Sequence, residues 1–144
     1  MVRQLLFLFL IFGIVGCALS EKTSYHAIRE KAARVDLTDG VSDYEAVALA
    51  QNFIVSRGLA DRLYSLKPLS VEQKTFWVSE EGRVEFAVPP ENFDQPLQKY
   101  WMVLFRDKEG SQFFGAYPVI PFYVKVDAVN GEVIRWGLKT DEVK

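Results

Sequence analysis

The spacing of apolar residues changes along this chain, and each change predicts a different element. An unbroken apolar run from Leu5 to Val15 opens the chain, and a polar stretch follows it. Ser42 and Glu45 then match a capping box, in which each side chain pairs with the backbone amide of the other residue. Apolar residues follow at spacings of three and four, and Gly58 supplies a stop. This pattern predicts a helix over Asp43–Arg57.

The rest of the chain has the alternation that is typical of strands. Asn130-Gly131 favours a tight hairpin turn, and Glu80-Glu81-Gly82 marks an earlier one. The expected strands are Lys74–Ser79, Arg83–Val88, Tyr100–Arg106, Phe122–Asp127 and Glu132–Trp136. Because Tyr100–Arg106 is apolar on both faces, we expect it in the centre of the sheet. The sequence therefore predicts an α+β fold, with one main helix packed on an antiparallel meander of about four to five strands.

The apolar run at the start has the layout of a signal peptide. Arg3 precedes it, small residues end it at Gly16 and Cys17, and it is too short to span a membrane, which takes about 20 apolar residues. Ile14-Val15-Gly16-Cys17 resembles the lipobox of bacterial lipoproteins, with a branched apolar residue first and a small residue just before the cysteine. The alternative is an ordinary secretory leader followed by a free thiol.

The lipobox resemblance implies where the mature protein begins and what holds it. Cleavage after Gly16 would leave Cys17 first, with diacylglycerol on its sulfur and an amino group that can also be acylated. More than one acyl chain anchors a protein stably. The predicted organisation is a signal peptide at 1–16, a lipidated cysteine and tether at 17–40, and a domain at 41–144. Ala18 resembles the residue of lipoproteins sent to the outer membrane, which would place the domain in the periplasm of a bacterium with two membranes.

The polar stretch before the main helix allows two interpretations. Residues 18–40 carry charges of both signs and end in a turn-like sequence, which predicts a flexible tether on the order of 25 Å long. Tyr25, Ile28, Ala32 and Val35 nevertheless recur at helical spacing. A short helix over Tyr25–Arg34 that docks on the domain is the competing interpretation.

Composition and charge narrow the classes of partner. Hydrophobic residues make up 49% and aromatic residues 14% of the chain, as in a folded globular protein. Removing the leader takes away Arg3 and no acidic residue, so the formal charge changes from −2 to −3. Nucleic acid is an unsuitable partner, because binding to its phosphates needs a basic surface.

The side chains that carry catalysis or bind metals are few. His26 is the one histidine, and it falls in the predicted tether, where a general base would have no fixed position. Adjacent carboxylates such as Glu80 and Glu81 are explained as solvated turn residues, and Asp39 and Asp43 as partners of a helix start. No catalytic residue, metal site or cofactor is predicted. We expect a protein that is not an enzyme.

The second half of the chain resembles the PepSY-type module of bacterial envelope and secreted proteins. The resemblance rests on Tyr100-Trp101-Met102-Val103 and on the run from Phe122 to Ile134, in which Asp127, Ala128 and a glycine turn follow an apolar strand. It covers about Ser42 to Trp136. It implies inhibitory or chaperone-like roles in the cell envelope.

An aromatic segment is the predicted binding surface. Five aromatic residues and two prolines fall within 11 residues, and proline is confined to sheet edges or irregular crossings. An edge strand with aromatics could receive a peptide by strand addition. The alternative is that the rings fill the core while the prolines protect an edge. The candidate binding residues are Phe113, Phe114, Tyr117, Phe122 and Tyr123.

Together these patterns predict a lipid-anchored, non-enzymatic module of the cell envelope that binds a protein or peptide. A small-ligand carrier or enzyme is the alternative, with Trp77, Trp101 and Trp136 lining the cavity of a cystatin-like or nuclear-transport-factor-like fold. A structural lipoprotein that associates with copies of itself is the third.

Overall fold

The computed structural model describes residues 24–109 and 120–139. Within them lie helix α1 at residues 24–33, helix α2 at Asp43–Ser56, and a single-turn 3-10 helix at Ala60–Arg62. The strands are β1 (Ser70–Val78), β2 (Val84–Glu85), β3 (Gln98–Arg106), β4 (Pro121–Asp127) and β5 (Val133–Leu138). Both helices pack on a curled antiparallel sheet, so the predicted α+β class is confirmed.

Helix α2 begins where its capping box predicts. The Glu45 amide donates to the Ser42 side chain, and the Ser42 amide donates to the Glu45 carboxylate at 2.9 Å. The helix ends at Ser56, one residue earlier than expected, because Arg57 is the C-cap and Gly58 adopts a left-handed φ of 68°. The predicted helix is thus confirmed to within one residue.

Helix α1 corresponds to the competing interpretation of the stretch before the domain, in which a short helix docks on the domain. Its Lys31 Nζ lies 3.6 Å from the centroid of the Tyr44 ring on α2. The Asp36 amide, just after α1, donates to the Glu45 carboxylate at 3.4 Å. Residues 24–40 are therefore part of the folded unit, while the rest of the predicted tether lies outside the described residues. Neither α1 nor α2, the helices of the described part, is long and apolar enough to cross a membrane.

The sheet has the strand order β2-β1-β3-β4-β5, so β3 is central as expected. The order departs from a meander because β3 pairs with β1, along Ser70 to Phe76, instead of with β2. The expected strand Arg83–Val88 shortens to the two residues of β2, and Val88 is 91% exposed before Pro89-Pro90. A strand that short offers β3 too few backbone groups, and the nine-residue β1 takes its place.

The β4–β5 turn also differs from its prediction in detail. Asn130 has no positive φ, so the turn is not the expected two-residue type. The Asp127 carboxylate closes it instead, accepting from the Val129 amide at 2.7 Å and the Asn130 amide at 3.1 Å. Gly131 has a φ of 72°, and a Cβ there would lie 2.9 Å from Leu49 Cδ1. Glycine is therefore favoured by its conformation, and a side chain there would also require Leu49 to shift.

The two faces of the sheet are built from different side chains. On the face under α2, called the helix face, aliphatic residues and two phenylalanines pack on Ala46, Ala50 and Ile54 of the helix. Their buried members are Val103, Phe105, Phe122, Val124 and Val126. The opposite face, called the aromatic face, buries Phe76, Tyr100, Met102, Leu104 and Tyr123. Phe86, from the segment after β2, packs on this second cluster.

Candidate functional site

The prediction that the aromatic segment forms a sheet edge is wrong for the part of it that the structure describes. Strand β4 pairs with β3 on one side and β5 on the other, so it is not an edge. Phe122 is buried on the helix face and Tyr123 on the aromatic face. Pro121 begins the strand, a position at which proline is compatible with a sheet. These two rings fill the core, as the alternative interpretation held, and are not open to a partner.

The other predicted site residues lie outside the described residues. They are Phe113, Phe114 and Tyr117 of the aromatic segment, and Cys17. Their assignment to peptide binding and to lipid attachment stays a prediction.

A buried lysine lies among the rings of the aromatic face. Lys125 is 1% exposed, and its Nζ lies 3.5 Å from the centroid of the Phe86 ring. The rings of Tyr100 and Tyr123 are 5.2 and 5.3 Å from the same nitrogen. Negative ring faces stabilise a cation that has lost part of its hydration. The alternation of Tyr123, Lys125 and Asp127 is typical of a solvent-facing side, and it concealed this arrangement in the sequence.

Two carboxylates are also buried in the described chain: Asp127 closes the β4–β5 turn, and Asp107 forms an ion pair. Asp107, at the end of β3, is fully buried, and its Oδ2 accepts from Arg62 Nε at 2.6 Å. The guanidinium carbon of Arg62 also lies 5.3 Å from the Phe122 ring centroid. This contact fastens the 3-10 helix to the sheet, so we assign the pair a structural role.

Catalytic groups do not converge in the described part of the chain. His26 lies exposed on α1 and pairs with Glu30 at 3.5 Å. No group of three or more possible metal ligands is present among the described residues. The pKa is lowered at Asp36, by hydrogen bonds from the Thr38 amide and hydroxyl, and at Glu45, by those from the Ser42 hydroxyl and amide. The Glu45 carboxylate caps α2, and the Asp36 carboxylate closes the turn at Thr38.

The three tryptophans are not brought to one cavity. The Trp77 ring is tilted against that of Phe93 at a centroid distance of 5.2 Å, and it lines an open cavity of about 480 Å³ beside the β1–β2 turn. Trp101 lies on the helix face, where its Nε1 donates to the Val41 carbonyl at 2.6 Å. Trp136 lies at the β5 edge. The described structure thus places them in three separate environments.

The two edges of the sheet differ in how they are protected. On one side, β2 covers only Trp77 and Val78 of β1, and the remaining edge carries a Glu72–Lys74 ion pair of 3.5 Å. Charged side chains on an edge disfavour pairing with another strand. On the other side, β5 pairs with β4 alone among the described strands. Strand β5 carries one charged side chain, Arg135, and has an irregular register with β4, but no second described strand covers any part of it. It is therefore the edge that is uncovered along its whole length and has fewer charges.

An aromatic surface adjoins the β5 edge. Trp136 is 42% exposed, and its ring lies 5.7 Å from that of Phe53 on α2 and 5.9 Å from that of Phe122. Arg57, the C-cap of α2, stands 5.4 Å from the Phe53 ring. An exposed sheet edge beside an exposed ring can bind an extended peptide by strand addition.

The sequence prediction missed this site, although a signal for it was present. Glu132–Trp136 was expected as the last strand of the sheet, and the last strand of an open meander has a neighbour on one side only. Trp136 was assigned to a cavity instead.

Comparisons with known proteins indicate no function for this chain, so its function is inferred from the geometry described above. No protein-family model, no curated protein and no solved structure matches the chain.

Proposed function

We propose that this protein is a lipid-anchored, non-enzymatic module of the bacterial cell envelope that binds an extended segment of a partner by adding a strand to β5. The observation that carries the binding proposal is an edge strand with an exposed tryptophan. Among the described strands, β5 has β4 as its single neighbour, and Trp136 stands at that edge, 42% exposed.

The physical basis is the set of backbone groups that β5 directs away from β4. An added strand would pair with them, at a net gain of roughly 0.5–1.5 kcal/mol for each hydrogen bond. These bonds alone would not select a sequence. Trp136 and Phe53, whose rings lie 5.7 Å apart, supply a surface that a side chain of the partner can cover.

The anchor is proposed from the leader and Cys17. The start of helix α1 limits the length of the link between that cysteine and the folded unit. Because the structure has a helix at residues 24–33, six residues separate Cys17 from it. Fully extended, a link of that length spans about 20 Å. The domain would then lie closer to the lipid headgroups than a tether ending at residue 40 would place it. The outer membrane and the inhibitory or chaperone-like roles of a PepSY-like module remain part of the proposal.

The binding part is tested by selecting extended peptides from a displayed library on the purified protein. We expect the selected peptides to lose at least about tenfold in affinity with Trp136→Ala, because the exposed ring is their side-chain contact. Tyr64→Ala is the matched control, since Tyr64 is 55% exposed and lies on the connection between α2 and β1. Selected peptides that bind Trp136→Ala as well as the original chain would refute the β5 site.

The anchor is tested separately by mass spectrometry of the protein made in a bacterium. We expect the N-terminal peptide to begin at Cys17 and to carry the mass of diacylglycerol with or without an N-acyl chain. A peptide with a free thiol at Cys17, or one that begins elsewhere, would refute lipid anchoring. Neither result would affect the β5 site.

A further inference from the structure

The two sides of β5 offer different chemistry to a strand added beside it. In the register with β4, Trp136 lies opposite Val124 of the helix face, and Arg135 opposite Lys125 of the aromatic face. Gly137 lies opposite Tyr123, also on the aromatic face. The register is irregular before Arg135, and from Arg135 to Leu138 the side chains of an added strand would alternate in the same way. They would therefore meet Trp136 on one side and Arg135 on the other.

On the helix side the surface is apolar. The exposed ring of Trp136 packs on Phe53 and on Phe122. Residues directly opposite each other on antiparallel strands have Cβ atoms about 4.5–5.5 Å apart, so the residue facing Trp136 would touch its ring. An apolar side chain fits there, because it removes further ring surface from water.

On the other side the surface is cationic. Arg135 is exposed, with its guanidinium carbon 5.0 Å from the Phe86 ring, and it forms no ion pair with the described residues. Lys125, in direct register on β4, is buried among rings and adds no charge to this surface. Gly137 has no side chain to fill the next position on this side. A carboxylate facing Arg135 would find an opposite charge and space.

The charge around β5 contrasts with that of the whole protein. The chain carries a net charge of −2, whereas residues 132–139 contain one acidic and two basic residues, and Arg57 stands near by on α2. Like Arg135, neither Arg57 nor Lys139 forms an ion pair within the described residues. Cations that form no ion pair with the described residues favour an anionic partner at this edge.

Building on the proposed function, we infer that the strand bound at β5 is an acidic peptide, in which apolar residues face Trp136 and carboxylates face Arg135. A second copy of this chain is a poorer occupant. Antiparallel pairing of two β5 strands about Arg135 would place two guanidinium groups opposite each other, which is destabilising.

The test uses two synthetic peptides that differ only in charge, Thr-Val-Glu-Val-Glu-Val-Thr and Thr-Val-Lys-Val-Lys-Val-Thr, titrated into the full lipidated protein in a zwitterionic detergent. We expect the glutamate peptide to bind about tenfold more tightly than the lysine peptide at low salt. The preference should weaken as salt is added, because exposed charges are screened.

A charge reversal assigns the preference to one residue. Arg135→Glu should reverse the order of the two peptides, while Arg83→Glu, at an exposed cation of the β1–β2 turn, should leave it unchanged. Equal binding of both peptides to the unchanged chain would overturn the acidic preference and leave strand addition intact. No binding of either peptide, together with a dimer that Trp136→Ala dissociates, would overturn both proposals and favour self-association.

Discussion

The two faces of the sheet bury side chains of different chemistry and are closed in different ways. The helix face is covered by α2, whose Ala46 and Ala50 let the helix lie close to the strands. The aromatic face is covered, in the described part, by Phe86 of an irregular segment, and it holds the charged Lys125. A helix supplies a regular apolar cover, whereas the described cover of the aromatic face includes a ring in contact with a buried charge.

This difference matters for the proposed site because β5 borders both faces. Trp136 belongs to the helix face and packs on Phe53, while Arg135 belongs to the aromatic face and contacts Phe86. The stability of each face therefore fixes one side of the binding edge. Mutations that change one face at a time test how far the stability of each face is independent of the other.

The largest effect is expected from truncating one buried phenylalanine on each face. Phe105→Ala, under α2, should lower the free energy of unfolding by about 4 kcal/mol, because helix and sheet hold the cavity open. Phe76→Ala should cost about 3 kcal/mol, because Phe86, with its ring centroid 6.1 Å away, can move toward the gap. Urea unfolding measures both. A larger loss for Phe76→Ala would show that the aromatic face is the more rigid one.

The next effect is the coupling between Phe86 and Lys125. In a double-mutant cycle with Phe86→Leu and Lys125→Met, we expect an interaction free energy of about 1 kcal/mol, because the Nζ lies 3.5 Å from the ring centroid in a buried place. The matched cycle with Arg135→Met should give about 0.5 kcal/mol, because Arg135 is exposed. Urea unfolding of the single and double variants measures both. Equal couplings would mean that burial adds nothing to this contact.

The contrast between the faces also explains which features could be predicted. Helix α2 and the helix face follow from local signals, namely the capping box at Ser42 and Glu45 and regular apolar spacing. The centre of the sheet followed from the apolar character of both sides of β3. These features depend on residues close together in the sequence.

The aromatic face and the binding edge depend on distant residues. Lys125 looks solvent-facing until Phe86, 39 positions earlier in the chain, is placed over it. Phe122 and Tyr123 look like an edge because prolines are near, but pairing with both β3 and β5 buries them. The short length of β2 decided the strand order. A strand of two residues could not be predicted from an alternating stretch of six. Local pattern identifies strands better than it identifies their neighbours.

A smaller loss of stability is expected from a change at the N-terminus of α2, the helix that covers the helix face. Ser42→Ala removes the hydroxyl that accepts from the Glu45 amide, and we expect a loss of about 1 kcal/mol in the free energy of unfolding. Ser56→Ala, at the exposed end of the same helix, is the control and should change it by less than about 0.5 kcal/mol. Urea unfolding measures both. The Phe86–Lys125 coupling should be the same in the Ser42→Ala background, and a changed coupling would show that the faces are linked.

The smallest effect is a dependence on pH at the same cap. Hydrogen bonds from the Ser42 hydroxyl and amide hold the pKa of Glu45 below its ordinary value, so the folded state binds this proton less readily than the unfolded state. The stabilisation is therefore complete above the ordinary carboxyl pKa, about 4.3, and is lost as the pH falls through the lowered folded-state pKa. Unfolding midpoints of the original chain and of Glu45→Gln should differ near pH 7 and converge in acid.

The Ser42→Ala background supplies the control for this titration. Without the hydroxyl, the main cause of the lowered Glu45 pKa is gone, and the gap between Glu45 and Gln should shrink at neutral pH and vary less with pH. Asp36→Asn should follow the same sign as Glu45→Gln, because hydrogen bonds from the Thr38 amide and hydroxyl lower the pKa of Asp36. A gap between Glu45 and Gln that stays constant down to about pH 3 would mean that the capping carboxylate acts through shape instead of charge.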